Sequence, residues 1–202
     1  MKNIISLSLI LILVSSVLFI SGCGETTTNP ENSENDSISN IQNIFTQPQT
    51  VSKEPSELTL QLSDLPTGYQ IKVREDRLKS DVKESSISLG WQKGYHISFI
   101  KGEGLQISTI EQWVSIYPLE NISKMVSPED FVPKEGWTMD EMPNLNIGDK
   151  SYVVRYKENE FGFTNYDIGF IKKNVYVRLV MYGSITDYEL FKELAKKAAD
   201  KI

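Results

Sequence analysis

The chain contains a single cysteine, Cys23, among its 202 residues. A lone cysteine cannot form a disulfide within the chain, so the fold has to be held together by its hydrophobic core. Hydrophobic residues make up 40% and charged residues 24% of the chain, which is ordinary for a globular protein. A domain the size of residues 58–202 buries roughly two thirds of its unfolded surface. The sequence therefore predicts a domain that is stable without covalent cross-links.

Cys23 follows a segment with the features of an export signal. Residues 1–3 are short and positively charged, residues 4–20 are apolar and interrupted only by serines, and small residues precede the cysteine. The run Ile20-Ser21-Gly22-Cys23 resembles the lipobox of prokaryotic lipoproteins. The resemblance implies that residues 1–22 are a signal peptide, that cleavage occurs before Cys23, and that lipid is attached to its thiol.

The alternative for this segment is an uncleaved membrane anchor. Its apolar run ends at Ile20 and is near the lower limit for spanning a bilayer, which takes about 20 residues. Either arrangement exports the body and tethers it to the membrane. We expect the protein on the outer face of the cytoplasmic membrane, held by lipid on Cys23.

Residues 23–57 are rich in Asn, Ser, Thr, Glu, Gln and Pro. Such a segment buries too little apolar surface to offset the entropy of ordering, so we predict a disordered linker. The patch at residues 38–45 has apolar residues at a spacing of three, which allows either plain linker or a short docking segment.

The exported part of the chain is acidic. Residues 1–22 contain one lysine and no acidic residue, so their removal changes the formal net charge from −6 to −7. This charge argues against nucleic acid as a partner.

Patterns of apolar residues predict the elements of residues 58–202. Alternation predicts extended segments at 58–62, 71–73, 95–99, 105–116, 152–156, 166–170 and 175–182. Helical spacing predicts helices at 78–89 and 119–126, and a C-terminal helix opened by a capping box of Thr186 and Glu189. This order predicts a single α+β extracytoplasmic domain, with an antiparallel sheet of five to seven strands, two or three packed helices, and the C-terminal helix on the sheet.

Three finer predictions concern the strands. The phase of the apolar residues changes along 105–116, which favours a β-bulge near Ser108-Thr109. Residues 133–146 are predicted to be irregular, and Lys172-Lys173-Asn174 to form a hairpin turn.

Segments 65–69, 90–95 and 147–151, which read LPTGY, GWQKGY and IGDKS, resemble parts of uncharacterised archaeal lipoproteins, those of methanogens especially. The order of elements also resembles the PsbP/Mog1-type sandwich. The resemblance implies a fold and a location but carries no active site.

The sequence shows no motif typical of catalysis or metal binding. Its only histidine, His96, falls on the polar face of a strand, and a zinc site would require carboxylates alone. The acidic pairs Glu129-Asp130 and Asp140-Glu141 lie in predicted loops, where solvated charge is the ordinary interpretation. We therefore predict no catalytic residue, no metal site, no cofactor and no enzymatic activity.

Aromatic residues offer the best candidates for recognition. Trp113 and Tyr117 have the phase opposite to Val114 and Ile116, so one set faces the core and the other faces either a ligand or a second covering layer. We predict Trp113 and Tyr117 as a possible surface for a ligand or partner, with core packing as the alternative.

The function most compatible with these features is a non-catalytic binding or accessory module at the cell surface, with an unknown protein or small-molecule partner. The alternative is a structural or assembly factor for a membrane or envelope complex. A carboxylate-dependent enzyme is the least favoured possibility.

Overall fold

Two stretches of the chain, residues 50–126 and 131–202, are described by the computed structural model. They belong to one compact unit, and within them no helix is long and apolar enough to cross a membrane. The predictions for the signal peptide, for Cys23 and for the linker as far as residue 49 lie outside the described residues, as does the Glu129-Asp130 pair.

A seven-stranded antiparallel sheet forms the centre of the described fold. In chain order its strands are β1 (Gln70–Asp76), β2 (Lys93–Glu103), β3 (Gln106–Ile116), β4 (Trp137–Glu141), β5 (Lys150–Glu158), β6 (Thr164–Lys172) and β7 (Val175–Gly183). Their spatial order is β1-β2-β3-β7-β6-β5-β4, so two meanders meet where β3 pairs with β7. The predicted α+β class is confirmed.

Three α-helices accompany the sheet in the described stretches: α1 (Glu84–Ser88), α2 (Leu119–Ile122) and α3 (Tyr188–Asp200). Short 3-10 helices occur at Pro55–Leu58, Leu62–Asp64 and Lys79–Asp81. The predicted capping box of α3 is wrong, because Asp187 is the N-cap and its carboxylate accepts from the backbone N–H groups of Glu189 and Leu190.

The main hydrophobic core lies between α3 and one side of the sheet, called the first face here. Phe191, Leu194 and Ala198 are fully buried and recur at helical spacing along α3. The fully buried apolar residues of β2, β3, β6 and β7 on this face are Ile97, Phe99, Ile110, Val114, Ile168, Phe170, Val175, Val177, Leu179 and Met181. The prediction that the C-terminal helix packs on the sheet is confirmed.

The folded body starts before residue 58. Val51 donates its backbone N–H to Asn174 Oδ1 at 2.7 Å, and Lys93 Nζ lies 2.7 Å from Glu54 Oε1. The expected extended segment at 58–62 instead links two 3-10 helices, with Leu58 and Leu60 fully buried and Leu62 exposed. Residues 50–57, predicted as linker, therefore contact the domain, and Asn174 supplies the side chain that fixes their position.

Several local predictions are wrong. The pairing of β2 with β3 runs without a register shift, so there is no bulge near Ser108-Thr109. The apolar phase changes because Leu105 is 92% exposed in the turn before β3, and Ile107 lies on the side of β3 away from α3. The segment predicted as irregular contains β4, an edge strand whose two apolar residues give too short an alternation to detect.

The helix predicted at 78–89 is largely absent, since β1 runs to Asp76 and only Glu84–Ser88 is α-helical. Helix α2 also stops earlier than predicted, at Ile122. The hairpin turn between β6 and β7 is confirmed, and Lys173 has a φ of 57° there.

Gly183 ends β7 opposite Ser108 with a φ of +129°, and a Cβ atom there would lie 2.2 Å from Ile107 O. We expect Gly183→Ala to lower the free energy of unfolding by about 2–4 kcal/mol, because both the backbone conformation and the contact are unfavourable. Urea denaturation measures the change.

Gly104→Ala is the matched control. Gly104 also has a positive φ, +58°, but a Cβ atom there meets nothing within 4 Å. We expect a loss of about 1 kcal/mol from backbone conformation alone. Equal losses in the two variants would contradict the assigned close approach of β7 to β3.

Candidate functional site

The candidate site lies on the other side of the sheet, called the second face here. Alternation along the strands places Glu111 and Trp113 of β3, Arg178 of β7 and Asp167 of β6 on this face. Trp113 is paired in register with Arg178, and Val180 is paired with both Glu111 and Asp167. These charged and aromatic side chains therefore occupy adjacent rows near the centre of the sheet.

Part of the second face is covered. A small cluster of buried residues packs there, namely Tyr117, Ile122, Met125, Val126 and Ile171. Phe131 extends this cover across β6 at Gly169, where an added Cβ atom would lie 3.1 Å from Phe131 Cζ. The Phe131 ring also packs against Tyr152, with ring centroids 5.1 Å apart.

The rest of the second face borders a cavity of about 440 Å³. Four aromatic side chains line it, namely Trp113, Trp137, Tyr156 and Tyr182. Four charged side chains also line it, namely Glu111, Lys134, Asp167 and Arg178. We call this cavity the aromatic pocket. Its size falls within the range of small-molecule sites, and its two acidic and two basic residues balance in charge.

A buried ion pair forms the floor of the aromatic pocket. Asp167 is 1% exposed, and Arg178 donates from Nε to Oδ1 at 3.1 Å and from Nη2 to Oδ2 at 2.6 Å. Burial alone would lower the pKa of Arg178, but the hydrogen bonds and charge of Asp167 outweigh it and raise this pKa. Arg178 also lies over the ring of Phe131, 5.8 Å from its centroid. The guanidinium is therefore held in place from two sides.

Two tyrosines supply neutral phenol groups to the pocket. Tyr182 donates to Glu111 Oε1 at 2.9 Å. Burial, followed by this bond and the charge of Glu111, raises the pKa of Tyr182 to about 12. Burial, with the charge of Asp167 next, raises the pKa of Tyr156 to about 12. Both phenols stay protonated at neutral pH.

A second, smaller cavity of about 220 Å³ adjoins the first, and both are lined by Trp113 and Arg178. Arg77, Lys83 and Tyr117 also line it, and we call it the basic pocket. Arg77 donates from Nη1 to Ser115 Oγ at 3.1 Å and from Nη2 to the backbone oxygen of Asp81 at 3.3 Å.

The structure places both predicted recognition residues at this pair of cavities. Trp113 is partly exposed, borders both pockets, and stacks on His96 with ring centroids 4.8 Å apart and planes 3° apart. Tyr117 borders only the basic pocket and is 2% exposed, so it serves mainly as packing. His96 Nδ1 lies 3.2 Å from Glu75 Oε1 on the neighbouring strand.

The charged residues of the pocket were not predicted. Asp167 and Arg178 each interrupt an otherwise apolar strand run, which is the signal available in the sequence. The hairpin turn at 173–174 sets the register of β6 and β7, and this register brings the two side chains to adjacent rows of one face. Combining these two observations could have identified the pair.

The described residues contain no group of three or more His, Cys, Asp or Glu side chains placed to hold a metal ion. Asp140, from a predicted loop pair, lies instead in β4 and forms an ion pair with Arg155 at 2.7 Å. The charge and hydrogen bonds of Arg155 lower the pKa of Asp140.

No family model and no curated protein matches the chain. Among solved structures, the chain is similar to the extracellular domain of PknH from Mycobacterium tuberculosis, with a TM-score of 0.59 and 15% identity over 77% of this chain and 98% of that chain. An uncharacterised protein from Mycobacterium smegmatis gives a TM-score of 0.46 and 11% identity over 73% of this chain and 96% of that chain. The likeness to the PknH domain shows a shared α+β fold, while the resemblance to archaeal lipoproteins and to the PsbP/Mog1-type sandwich stays a prediction.

The Asp167–Arg178 pair makes a testable contribution to stability. We expect Arg178→Met to lower the free energy of unfolding by about 3 kcal/mol at pH 7, because it leaves a buried carboxylate unpaired. The lone Asp167 then has a raised pKa in the folded state, so the loss shrinks as the pH falls toward the pKa of the unfolded chain. Urea denaturation at pH 7 and pH 5 measures both effects.

Two controls accompany this variant. The double variant Asp167→Leu, Arg178→Met should recover to within about 1 kcal/mol of the unmodified protein, since the charge and its partner are removed together. Arg155→Met breaks the more exposed Asp140 pair and should lose much less stability than Arg178→Met, because solvent screens an exposed pair. A loss at Arg178 no larger than that at Arg155 contradicts the structural role of the buried pair.

Proposed function

We propose that this protein is a membrane-anchored, extracytoplasmic lipoprotein whose folded body is a non-catalytic binding module. The observation that carries the proposal is the aromatic pocket, an open site lined by aromatic and charged side chains on a sheet face that is partly covered by packed residues. Two further features support it, namely the predicted signal peptide of residues 1–22 before Cys23 and the geometry of the charged groups.

The extracytoplasmic location is supported by the lipobox resemblance at Cys23. It is also supported by the fold shared with the PknH domain, which is itself an extracellular domain. The described chain begins beside Asn174, at the turn between β6 and β7, whereas Trp137 and Tyr182 of the pocket lie toward the opposite end of the sheet. The pocket therefore lies toward the end of the sheet away from Val51.

The non-catalytic role is supported by the state of the two carboxylates in the pocket. Asp167 is held by Arg178, and Glu111 accepts from Tyr182. Both carboxylates thus accept hydrogen bonds that fix their position. Their arrangement is suited to orienting polar groups of a ligand against the faces of Trp113 and Trp137. We infer that the ligand is a polar organic molecule with a flat face, such as a sugar or heteroaromatic ring.

The lipid anchor is tested by Cys23→Ser in the natural host. We expect the variant to keep its signal peptide, to lose the mass of the lipid and to be extracted from membranes differently, because the cleavage and acylation both require the thiol. Mass spectrometry of the processed chain and cell fractionation measure this. Ser21→Ala is the control, since it preserves a small residue before the cysteine. Unchanged processing and mass in the Cys23 variant would refute the anchor.

The binding site is tested with the three tryptophans as internal probes. Trp113 borders both pockets, Trp137 borders only the aromatic pocket, and Trp91 borders neither of them. We expect a ligand of the aromatic pocket to shift the indole N–H signals of Trp113 and Trp137, and to leave that of Trp91 in place. The experiment is a nitrogen–proton NMR titration of the mature protein in uncharged detergent, with a panel of neutral sugars, nucleosides and aromatic amino acids.

Variants make the assignment specific. Trp137→Ala should weaken binding of a panel member at least tenfold, which corresponds to about 1.4 kcal/mol. Phe161→Ala removes an exposed aromatic ring that does not line the pocket and should leave binding unchanged. A panel without any saturable binder, or a binder indifferent to Trp137→Ala, would count against this site. Purification with a stoichiometric protein partner instead would favour the assembly-factor alternative.

A further inference from the structure

The described residues that line the basic pocket carry more positive than negative charge. Its lining includes Arg77, Lys83 and Arg178, against one acidic residue, Asp81. The carboxylate of Asp81 is already engaged, since it accepts from the backbone N–H of Leu78 at 3.2 Å and from the hydroxyl of Ser80 at 3.0 Å. Within the described stretches, the hydrogen bonds of this carboxylate therefore go to neighbours in its own turn, and none goes to the side chains of Arg77, Lys83 or Arg178.

Arg77 is the central group of this pocket. Both acceptors that the structure gives it, the hydroxyl of Ser115 and the backbone oxygen of Asp81, are uncharged. Burial lowers the pKa of Arg77, with weaker opposing effects from Tyr117, Asp81 and other neighbours. Within residues 50–126 and 131–202 no carboxylate hydrogen-bonds to this partly buried guanidinium, which is an unusual use of arginine, because hydrogen bonds to neutral groups then offset most of the desolvation.

Arg178 presents further donors at the boundary between the two pockets. Its bonds to Asp167 use Nε and Nη2, so the two N–H donors of Nη1 are left to other acceptors. Asp167 itself does not line the basic pocket, whereas Arg178 does. An anion in the basic pocket could therefore be reached by donors from two guanidinium groups and by the ammonium of Lys83.

We propose that the basic pocket is an anion subsite that takes a phosphoryl group, and that this group belongs to the ligand whose ring lies in the aromatic pocket. Three cations around one small cavity fit a tetrahedral dianion with several acceptor oxygens better than a carboxylate with two. The cavity of about 220 Å³ admits such a group. Trp113, which borders both pockets, lies where the ring and the phosphoryl group of one ligand would join.

The second half of this proposal rests on the proposed function, but the anion subsite can be tested alone. The mature protein is titrated with inorganic phosphate at constant ionic strength, and the indole N–H signals are followed by NMR. We expect a saturable shift of Trp113 with Trp137 and Trp91 unmoved, because only Trp113 borders the basic pocket. Acetate should bind at least fivefold more weakly, and equal affinity for the two anions would overturn the choice of phosphate.

Four variants locate the anion. Arg77→Gln should weaken phosphate binding at least tenfold, and Lys83→Gln, on an exposed side chain, should weaken it about threefold without affecting folding. Arg74→Gln removes the same charge from an exposed position on β1 and should have no effect. Arg77→Lys distinguishes an effect on folding from an effect on binding. It keeps the positive charge but loses the planar guanidinium, so this variant should remain folded and bind phosphate less well.

Weaker phosphate binding in the Trp113 titration, at least tenfold for Arg77→Gln and about threefold for Lys83→Gln, with Arg74→Gln unchanged, supports the subsite. Equal responses in all three variants, or no saturable shift in the unmodified protein, overturns it. Such a result leaves the test of the aromatic pocket unaffected, because binding of a neutral ligand is measured from the indole N–H signal of Trp137. A phosphorylated sugar that shifts the signals of both Trp113 and Trp137, and binds at least tenfold more tightly than phosphate, would indicate that one ligand occupies both pockets. If one ligand spans both pockets, phosphate and a neutral sugar should bind at the same time. Competition between them would refute this.

Discussion

The ion pair between Asp167 and Arg178 determines how the second face of the sheet can be used. A carboxylate that is 1% exposed requires a charged partner, and the partner has to reach it from the neighbouring strand. The guanidinium keeps part of its surface in contact with solvent. An apolar layer therefore cannot close over this part of the sheet, and the face is divided into a covered side and an open side.

The arrangement of strands makes the open side rigid. The pocket takes side chains from both meanders, with Glu111 and Trp113 on β3 next to Arg178 and Tyr182 on β7. The pairing of β3 with β7 is the only contact between the meanders within the described sheet, and it passes directly beneath the pocket. Residues held on paired central strands move little, which favours binding by a preformed site over binding by loop closure.

The alternation of residues was sufficient to predict the class of fold and most of the strands, because one face of a half-buried strand has to be apolar. The alternation failed where apolar residues occur on both faces of a strand, and where a strand is too short to show a pattern. Exposed Leu105 in the turn before β3 and Ile107 on the second face made the phase appear to shift, and in β4 only Trp137 and Met139 alternate. The helix predicted across residues 78–89 failed for another reason, since Leu78 is an exposed residue and does not contribute to an apolar stripe.

The site was harder to predict than the fold because its residues come together through register and not through sequence spacing. Trp113 could be selected from its phase on one strand. Arg178 can be recognised as a site residue only when it is known that β7 lies between β3 and β6. The two faces also differ in what they demand of the chain. The first face must exclude water for the domain to fold. The open side of the second face contributes little packing, so its residues can be replaced at little cost to the core. Such a division allows the polar residues of the pocket to change with the ligand while the apolar core under α3 is retained.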